Sequence, residues 1–131
     1  MIVDDQDLVS QAINLIDTPA LAHIWDTDAL AEVDVTADIP GLGRIHGTID
    51  RLVIGTDTIL AIDFKSNRLV PEQTDDIPGG LINQMAAYDA ALRQIYPNHT
   101  IKVAILWTTN AKLMTIPRNR LHEAMSAVSA S

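Results

Sequence analysis

The sequence predicts an α/β domain in which a central mixed sheet is flanked by helices, and three observations lead there. Apolar residues follow helical spacing at both ends of the chain, whereas the middle alternates or runs continuously apolar, as strands do. Two strand-like runs are separated only by Gly55-Thr56-Asp57, whose residues suit a tight hairpin. A further run, Ile101 to Trp107, is almost wholly apolar and reads as a central strand covered on both faces. The resulting order α, α, β, β, β, α, β, β, α gives a mixed sheet rather than a regularly alternating parallel one. At 131 residues, 47% of them apolar, the chain supports one core burying roughly two thirds of the unfolded surface.

Residues Asp4 to Ile16 form the first expected helix, with Asp4, Asp5 and Asp7 at the positive end of its dipole and Leu8, Ala12, Leu15 and Ile16 on one stripe. Thr18 caps a second, short helix to about Trp25, with Pro19 at its first position. Alternation from Ala31 to Thr36 predicts a strand, and Ile39-Pro40-Gly41-Leu42-Gly43 turns the chain. The hairpin strands occupy Arg44 to Ile54 and Thr58 to Lys65. Asn67 to Gly80 holds two prolines, two glycines and three acidic residues and reads as a mobile loop. A helix then spans Leu81 to Ile95 and stops before Pro97. After Ile101 to Trp107, a turn near Thr109-Asn110 leads to a hairpin partner over Lys112 to Ile116. Pro117 opens the last helix, which carries Leu121, Met125 and Val128. The whole reads as one domain over 1–131, with a helical lead-in over 1–28, a core over 29–116 and a C-terminal helix over 117–131.

Nine lysines and arginines against 17 acids give a formal net charge of −8. Such a surface repels a phosphate backbone, because nonspecific affinity comes from cationic side chains displacing counterions. A nucleic-acid function would therefore take its positive channel from other domains or from bound cations. The absence of cysteine excludes a disulfide scaffold, a cysteine-held iron–sulfur cluster, a thiolate zinc site and a cysteine nucleophile, and it fits a reducing, cytoplasmic compartment. The longest apolar runs, Ile59 to Ile62 and Val103 to Trp107, fall far short of the roughly 18 residues of a membrane span, so no membrane association is expected. The opening residues MIVDDQDL place no basic region ahead of an apolar stretch, as a signal peptide would.

Chemistry enters at Gly47-Thr48-Ile49-Asp50-Arg51-Leu52 and Ile62-Asp63-Phe64-Lys65-Ser66-Asn67. Side chains two apart share a strand face, so Asp63 and Lys65 point one way while Ile62 and Phe64 point the other. If the hairpin closes through Thr56-Asp57, paired residue numbers sum to 113 and Asp50 lies opposite Asp63. At about 5 Å and an effective dielectric near 20, two carboxylates repel by roughly 3 kcal/mol. Lys65 on the same face offsets part of this, and a divalent cation with oxygen ligands would supply the rest. Magnesium suits such a site because it needs only one or two carboxylates and fills its octahedron with water and phosphate oxygens. Asp, Asp and Lys in this arrangement are the parts of metal-assisted phosphodiester hydrolysis.

The same three residues also occur on solvent-facing strand pairs that do no chemistry. Against that stands Ile59-Leu60-Ala61-Ile62, a run suited to a doubly covered strand, where an unpaired Asp63 carboxylate is expensive. On the following helix, Gln84 and Tyr88 are four apart and share a face beside Leu81, Met85 and Leu92. They either satisfy the backbone of a neighbouring strand or, next to the acid pair, touch a nucleic-acid backbone or orient the lysine.

In order and spacing, Gly47 to Leu52, Asp63-Phe64-Lys65-Ser66-Asn67 and Gln84-Met85-Ala86-Ala87-Tyr88 resemble the G-x-I-D, D-x-K-[ST]-N and Q-x-x-x-Y motifs of RecB-like nucleases in the PD-(D/E)XK superfamily. Ile95-Tyr96-Pro97, Ala104-Ile105-Leu106-Trp107-Thr108 and Lys112-Leu113-Met114 are similar to the C-terminal end of the AddA subunit of AddAB helicase–nucleases, and the likeness covers roughly Ala29 to Pro117. The resemblance implies a restriction-endonuclease-like core with helices on both sides of the sheet, Mg2+ or Mn2+ as cofactor, DNA as substrate and an AddB-like partner subunit. It implies Asp50 and Asp63 as metal-binding acids, with the Phe64 carbonyl available as a third ligand. Lys65 then corresponds to the catalytic lysine, and Gln84 and Tyr88 to the motif that supports the site and the DNA strand. AddA-type proteins join an ATP-driven motor to this nuclease and process double-strand breaks for recombination. The chain has no Gly-x-x-x-x-Gly-Lys-[Ser/Thr] loop and is too short for motor domains, so ATP belongs elsewhere and the chain is expected to be the nuclease piece. A free-standing endonuclease of the same superfamily and an inactive DNA-binding or assembly module are the alternatives.

One departure concerns histidine. RecB-like nucleases also take a metal-ligating histidine from an upstream helix, a few residues after a glycine. His23, in Leu21-Ala22-His23-Ile24-Trp25, has no glycine before it and reads as a packing residue. His46 shares strand parity with Asp50 but is four residues away, about 13 Å along an extended strand. His99 falls in a turn and His122 in the last helix. The family's histidine segment is expected to be missing, which weakens metal binding by the isolated chain, and Glu32 is the candidate replacement carboxylate. Trp25 and Trp107 read as packing residues, and Arg44, Arg51 and Arg68 as partners of surface acids or phosphates. The lack of cysteine sets the chain apart from the iron–sulfur-bearing members of the superfamily.

Overall fold

Alternation makes the first strand, β1 (Leu30–Ile39), in which Val35, Ala37 and Ile39 are buried and the residues between them face outward. The structure is a computed structural model that describes residues 29–67 and 69–130, together with residue 19. Past Pro40, Gly41 and Gly43 take φ values of 83° and 90°, a left-handed conformation that glycine adopts without a Cβ penalty. The chain reverses there into β2 (Gly43–Ile54), antiparallel to β1. Gly55-Thr56-Asp57 turns it again into β3 (Thr58–Lys65), with Arg51 opposite Ile62 and Ile54 opposite Ile59, the expected register. A parallel neighbour needs a crossover, and the stretch containing α1 (Gly79–Ile95) provides it, leading to β4 (Thr100–Trp107) beside β3. β5 (Lys112–Thr115) returns antiparallel to β4, and α2 (Arg118–Ala130) ends the described chain. The five strands stand in the order β1-β2-β3-β4-β5.

β1 extends three residues past its expected end, because Thr36, Ala37, Asp38 and Ile39 keep pairing with β2 as far as the glycine turn. α1 starts at Gly79 rather than Leu81, and the Pro78 carbonyl accepts from the amides of Leu81 and Ile82. The expected helices over 4–16 and 18–25, with His23 and Trp25, lie outside the described residues except for residue 19, and so does Arg68.

Both described helices pack on one face of the sheet. There Ile49, Leu52, Ile59, Val103, Ile105 and Trp107 meet Met85, Leu92 and Leu121, each fully buried aliphatic side chain contributing about 1.5–3 kcal/mol. Trp107 is core, as its apolar run predicts, and its indole donates to Met114 Sδ at 3.0 Å. On the other face Ile62 and Leu106 pack with Val53, Leu60, Phe64 and Leu113. The connection expected to be a mobile loop is instead pinned. Val70 and Ile77 pack on the core, and a short 3-10 turn forms at Thr74–Asp76. Thr109 Oγ1 donates to the Asn67 carbonyl at 2.8 Å, and Lys112 Nζ donates to the carbonyls of Pro71 and Glu72 at 3.4 and 3.1 Å. Main-chain acceptors do the pinning, so the polar composition of the segment hides it.

β2 carries one irregularity that matters for the site. Ile49 and Leu52 are three apart, yet both point into the same core, so the in–out alternation shifts phase across Asp50 and Arg51. Opposite this point, Glu32 of β1 takes φ 52°, uncommon for a residue with a side chain. Pairing continues on either side, with Val33 opposite Ile49 and Ala31 opposite Arg51.

Candidate active site

The β2–β3 ladder ends at Arg51 and Ile62. Beyond it, the next amide that β3 turns toward β2 belongs to Phe64, and it donates to Asp50 Oδ2 at 2.7 Å. A carboxylate has taken the place of a backbone acceptor. The amide and carbonyl of one strand residue face the same neighbour, so the Phe64 carbonyl lies on the Asp50 edge as well. Lys65 faces the other way. Its carbonyl accepts from Thr108 N at 2.8 Å and from Thr108 Oγ1 at 3.3 Å, which clamps its main chain to the end of β4.

Asp63 sits among buried neighbours and is only 6% exposed. Lys65 Nζ lies 3.0 Å from Asp63 Oδ2, an ion pair whose angles make no hydrogen bond, so this buried oxygen has none. Burial raises the Asp63 carboxyl above the usual carboxylate range. The positive charge of Lys65 pulls it back, while the adjacent Asp50 carboxylate pushes it up again. The expected juxtaposition of Asp50, Asp63 and Lys65 is therefore present.

Gln84 and Tyr88 form a second group joined to the first through β2. The Tyr88 hydroxyl donates to the Thr48 carbonyl at 3.2 Å and accepts from Gln84 Nε2 at 3.2 Å. The phenol satisfies a strand backbone two residues before Asp50, the first of the two roles its position allowed. Gly47 makes that approach feasible. A Cβ there would stand 2.8 Å from Tyr88 Cε1 and 3.0 Å from its hydroxyl oxygen. This glycine–tyrosine contact is a positioning element that spacing alone did not show.

Two carboxylates and a backbone carbonyl on one edge are hard oxygen donors, and Asp63 Oδ2 is a buried acceptor without a hydrogen bond. That set fits a hard divalent cation, which binds through one or two carboxylates and keeps several waters. Among the described residues no group of three acids or imidazoles comes together. Glu32 is thus not the replacement ligand: it faces Asp50 along the strands, but its side chain is exposed. His46 bonds Thr36 Oγ1 at 2.8 Å across β1 and β2, and His99 packs edge-on against Tyr96. Arg44 balances Asp38, as the ordinary reading of its charge predicts.

A protein-family model, that of the PD-(D/E)XK nuclease superfamily, matches residues 7–126. A solved structure described as the crystal structure of SSO0001 aligns with a TM-score of 0.46 at 12% identity, covering 95% of this chain and 66% of that one. The chain thus spans just under two thirds of that protein's length. No curated protein matches the chain.

Proposed function

The chain belongs to the PD-(D/E)XK nuclease superfamily, and from that premise we propose that it is a metal-dependent DNA nuclease domain hydrolysing phosphodiester bonds. In this reading it is RecB-like and forms the C-terminal part of an AddA-type subunit, working with an AddB-like partner and an ATP-driven motor in double-strand break repair. The observation that carries the nuclease reading is the convergence of Asp50, Asp63 and Lys65, with the Lys65 ammonium 3.0 Å from Asp63. The AddA context rests on the ordered motifs around Gly47, Asp63, Gln84 and Trp107.

PD-(D/E)XK nucleases generally use divalent metal ions. Asp50, Asp63 and the Phe64 carbonyl would hold such an ion, with magnesium the expected species and manganese a substitute. When bound, it polarises the phosphate and lowers the pKa of a water. The chain's own residues do the rest. The Phe64 amide fixes one Asp50 oxygen and so aims the other. Lys65, released from Asp63, brings its ammonium to the charge that develops on the phosphate or orients the attacking water. Tyr88 and Gln84 hold the Thr48 carbonyl and with it the local path of β2.

The test is nicking of labelled DNA by this chain with magnesium, with manganese and with chelator. Asp63→Ala abolishes cutting and Lys65→Ala leaves only a small residue of it, and in the full-length protein both leave ATP-driven unwinding intact. Normal cutting by either variant refutes the assignment. A second reading, a DNA-binding or assembly module with an incomplete metal site, has one observation in its favour: no third acid or imidazole joins Asp50 and Asp63 among the described residues.

A further inference from the structure

The 17 acids of this chain are unevenly spread, and none falls between Phe64 and Pro71 or between Ala90 and His122. Parts of those two stretches meet at the end of the sheet that carries Lys65. The Thr108 amide donates to the Lys65 carbonyl, and Thr109 Oγ1 donates to the Asn67 carbonyl at 2.8 Å. Ser66, Asn67, Thr109 and Asn110 are exposed there and make a neutral, hydrogen-bonding rim in a chain of net charge −8. Leu69 stands beside it. This leucine is 87% exposed, against 47% for Leu30 and 46% for Ile95, the other exposed large apolar side chains among the described residues. An isolated exposed leucine is ordinary, but this one is held outward. Asn67, two residues before it, is tied to Thr109; Val70, the residue after it, packs on the core, and Lys112 Nζ donates to the Pro71 carbonyl. With both flanks anchored, the leucine gains no cover from the core that Val70 joins.

We propose that Leu69 is a base-contacting residue, a wedge that enters between neighbouring bases of the DNA strand being cut. The choice of DNA rests on the nuclease reading. Leu69 follows Lys65 by four positions, so their main chains lie within about 14 Å of each other, no more than roughly four base steps. Phosphate contacts give this acidic chain little grip, because affinity of that kind comes from lysine and arginine displacing counterions. Apolar contact with a base is indifferent to net charge, and leucine is among the side chains that part base steps in this way. The acid-free rim lets the backbone of the same strand pass, and its amide and hydroxyl groups can donate to phosphate oxygens.

An end-labelled single strand carrying several 2-aminopurines, titrated with the whole chain in chelator over a salt series, reads the contact in two ways. Anisotropy of the label gives affinity, and 2-aminopurine brightens when a neighbouring base no longer stacks on it. Binding by the parent chain raises that emission. Leu69→Ala removes the rise and lowers affinity about tenfold, while the slope of log affinity against log salt stays the same because no phosphate contact is lost. Leu69→Met, similar in volume, keeps both signals, and Ile95→Ala, at the end of α1 before β4 begins, changes neither. An unchanged melting temperature confirms that the variants fold. No rise with the parent chain, parent-like affinity in Leu69→Ala, a loss accompanied by a flatter salt slope, or an equal loss with Ile95→Ala overturns the proposal. Cleavage with magnesium added is read separately. A chain that shows the leucine-dependent rise but never cuts overturns the nuclease reading and leaves the wedge standing.

Discussion

Gly47→Ala places a methyl carbon 2.8 Å from Tyr88 Cε1 and 3.0 Å from the phenol oxygen. The ring has nowhere to go. It is 7% exposed, and its hydroxyl is tied to the Thr48 carbonyl and to Gln84. Relieving the clash forces an off-rotamer ring or a shift of α1, at about 1–3 kcal/mol, and loosens a hydrogen bond contributing about 1 kcal/mol. The variant should lose about 2–4 kcal/mol in a urea titration, or roughly 6–12 °C in midpoint for a domain of this size. Tyr88→Ala alone leaves a void and should cost about 3–5 kcal/mol. Once the ring is gone the alanine methyl is no longer crowded, so Gly47→Ala/Tyr88→Ala should be no less stable than Tyr88→Ala. The double variant then falls short of the summed losses by about 2–4 kcal/mol. Strictly additive losses would refute the close approach, and with it the idea that this glycine exists to admit the tyrosine.

Three further outcomes follow from the same geometry. Lys65→Ala should slow cleavage by a factor on the order of 10²–10³ in a gel assay, with DNA affinity in chelator unchanged; a parallel loss of affinity would mean that the lysine serves binding. Because the fold raises the Asp63 carboxyl above its unfolded value, its contribution to stability is present below about pH 4 and is lost as pH climbs through the raised value. Asp63→Asn should consequently be more stable than the parent at neutral pH by about 0.5–2 kcal/mol, and a stability difference that does not shrink on acidification contradicts the burial argument. Arg118→Ala strands the buried Asp89 carboxylate and should cost about 2–3 kcal/mol, less than a fully buried pair because the guanidinium is half exposed; replacing both partners by Leu and Met should restore most of it by thermal melting.

The hairpin that sets Asp50 against Asp63 was legible because a short turn fixes register and register fixes which side chains meet. The sequence pointed to a mixed sheet but not to which strands run parallel; the pairing of β3 with β4 is set by the segment holding α1, which is long enough to cross the sheet. Other features depend on where pairing stops, which alternation does not encode. The Phe64 amide meets Asp50 only because the ladder ends at Arg51, and the phase shift between Ile49 and Leu52 has no local sign beyond two apolar residues at the wrong interval. The Asp89–Arg118 pair spans 29 positions, so its only hint was the one acid of this helix, beside Tyr88. Tyr88 itself fitted two roles, and the structure shows its hydroxyl reaching the Thr48 carbonyl. The pinning of the segment after Asn67 by Lys112 was invisible because its acceptors are carbonyls that every residue possesses.

The clamp of Thr108 on the Lys65 carbonyl bears on the tempo of the reaction. With its main chain anchored, the amine can exchange a carboxylate for a phosphate only by swinging on its own four-carbon stem. Such rotations take picoseconds to nanoseconds, whereas typical turnover takes milliseconds or longer. No slow rearrangement stands between the resting and working positions of this arm, and any lag in cutting would have to originate in the DNA or in other parts of the protein.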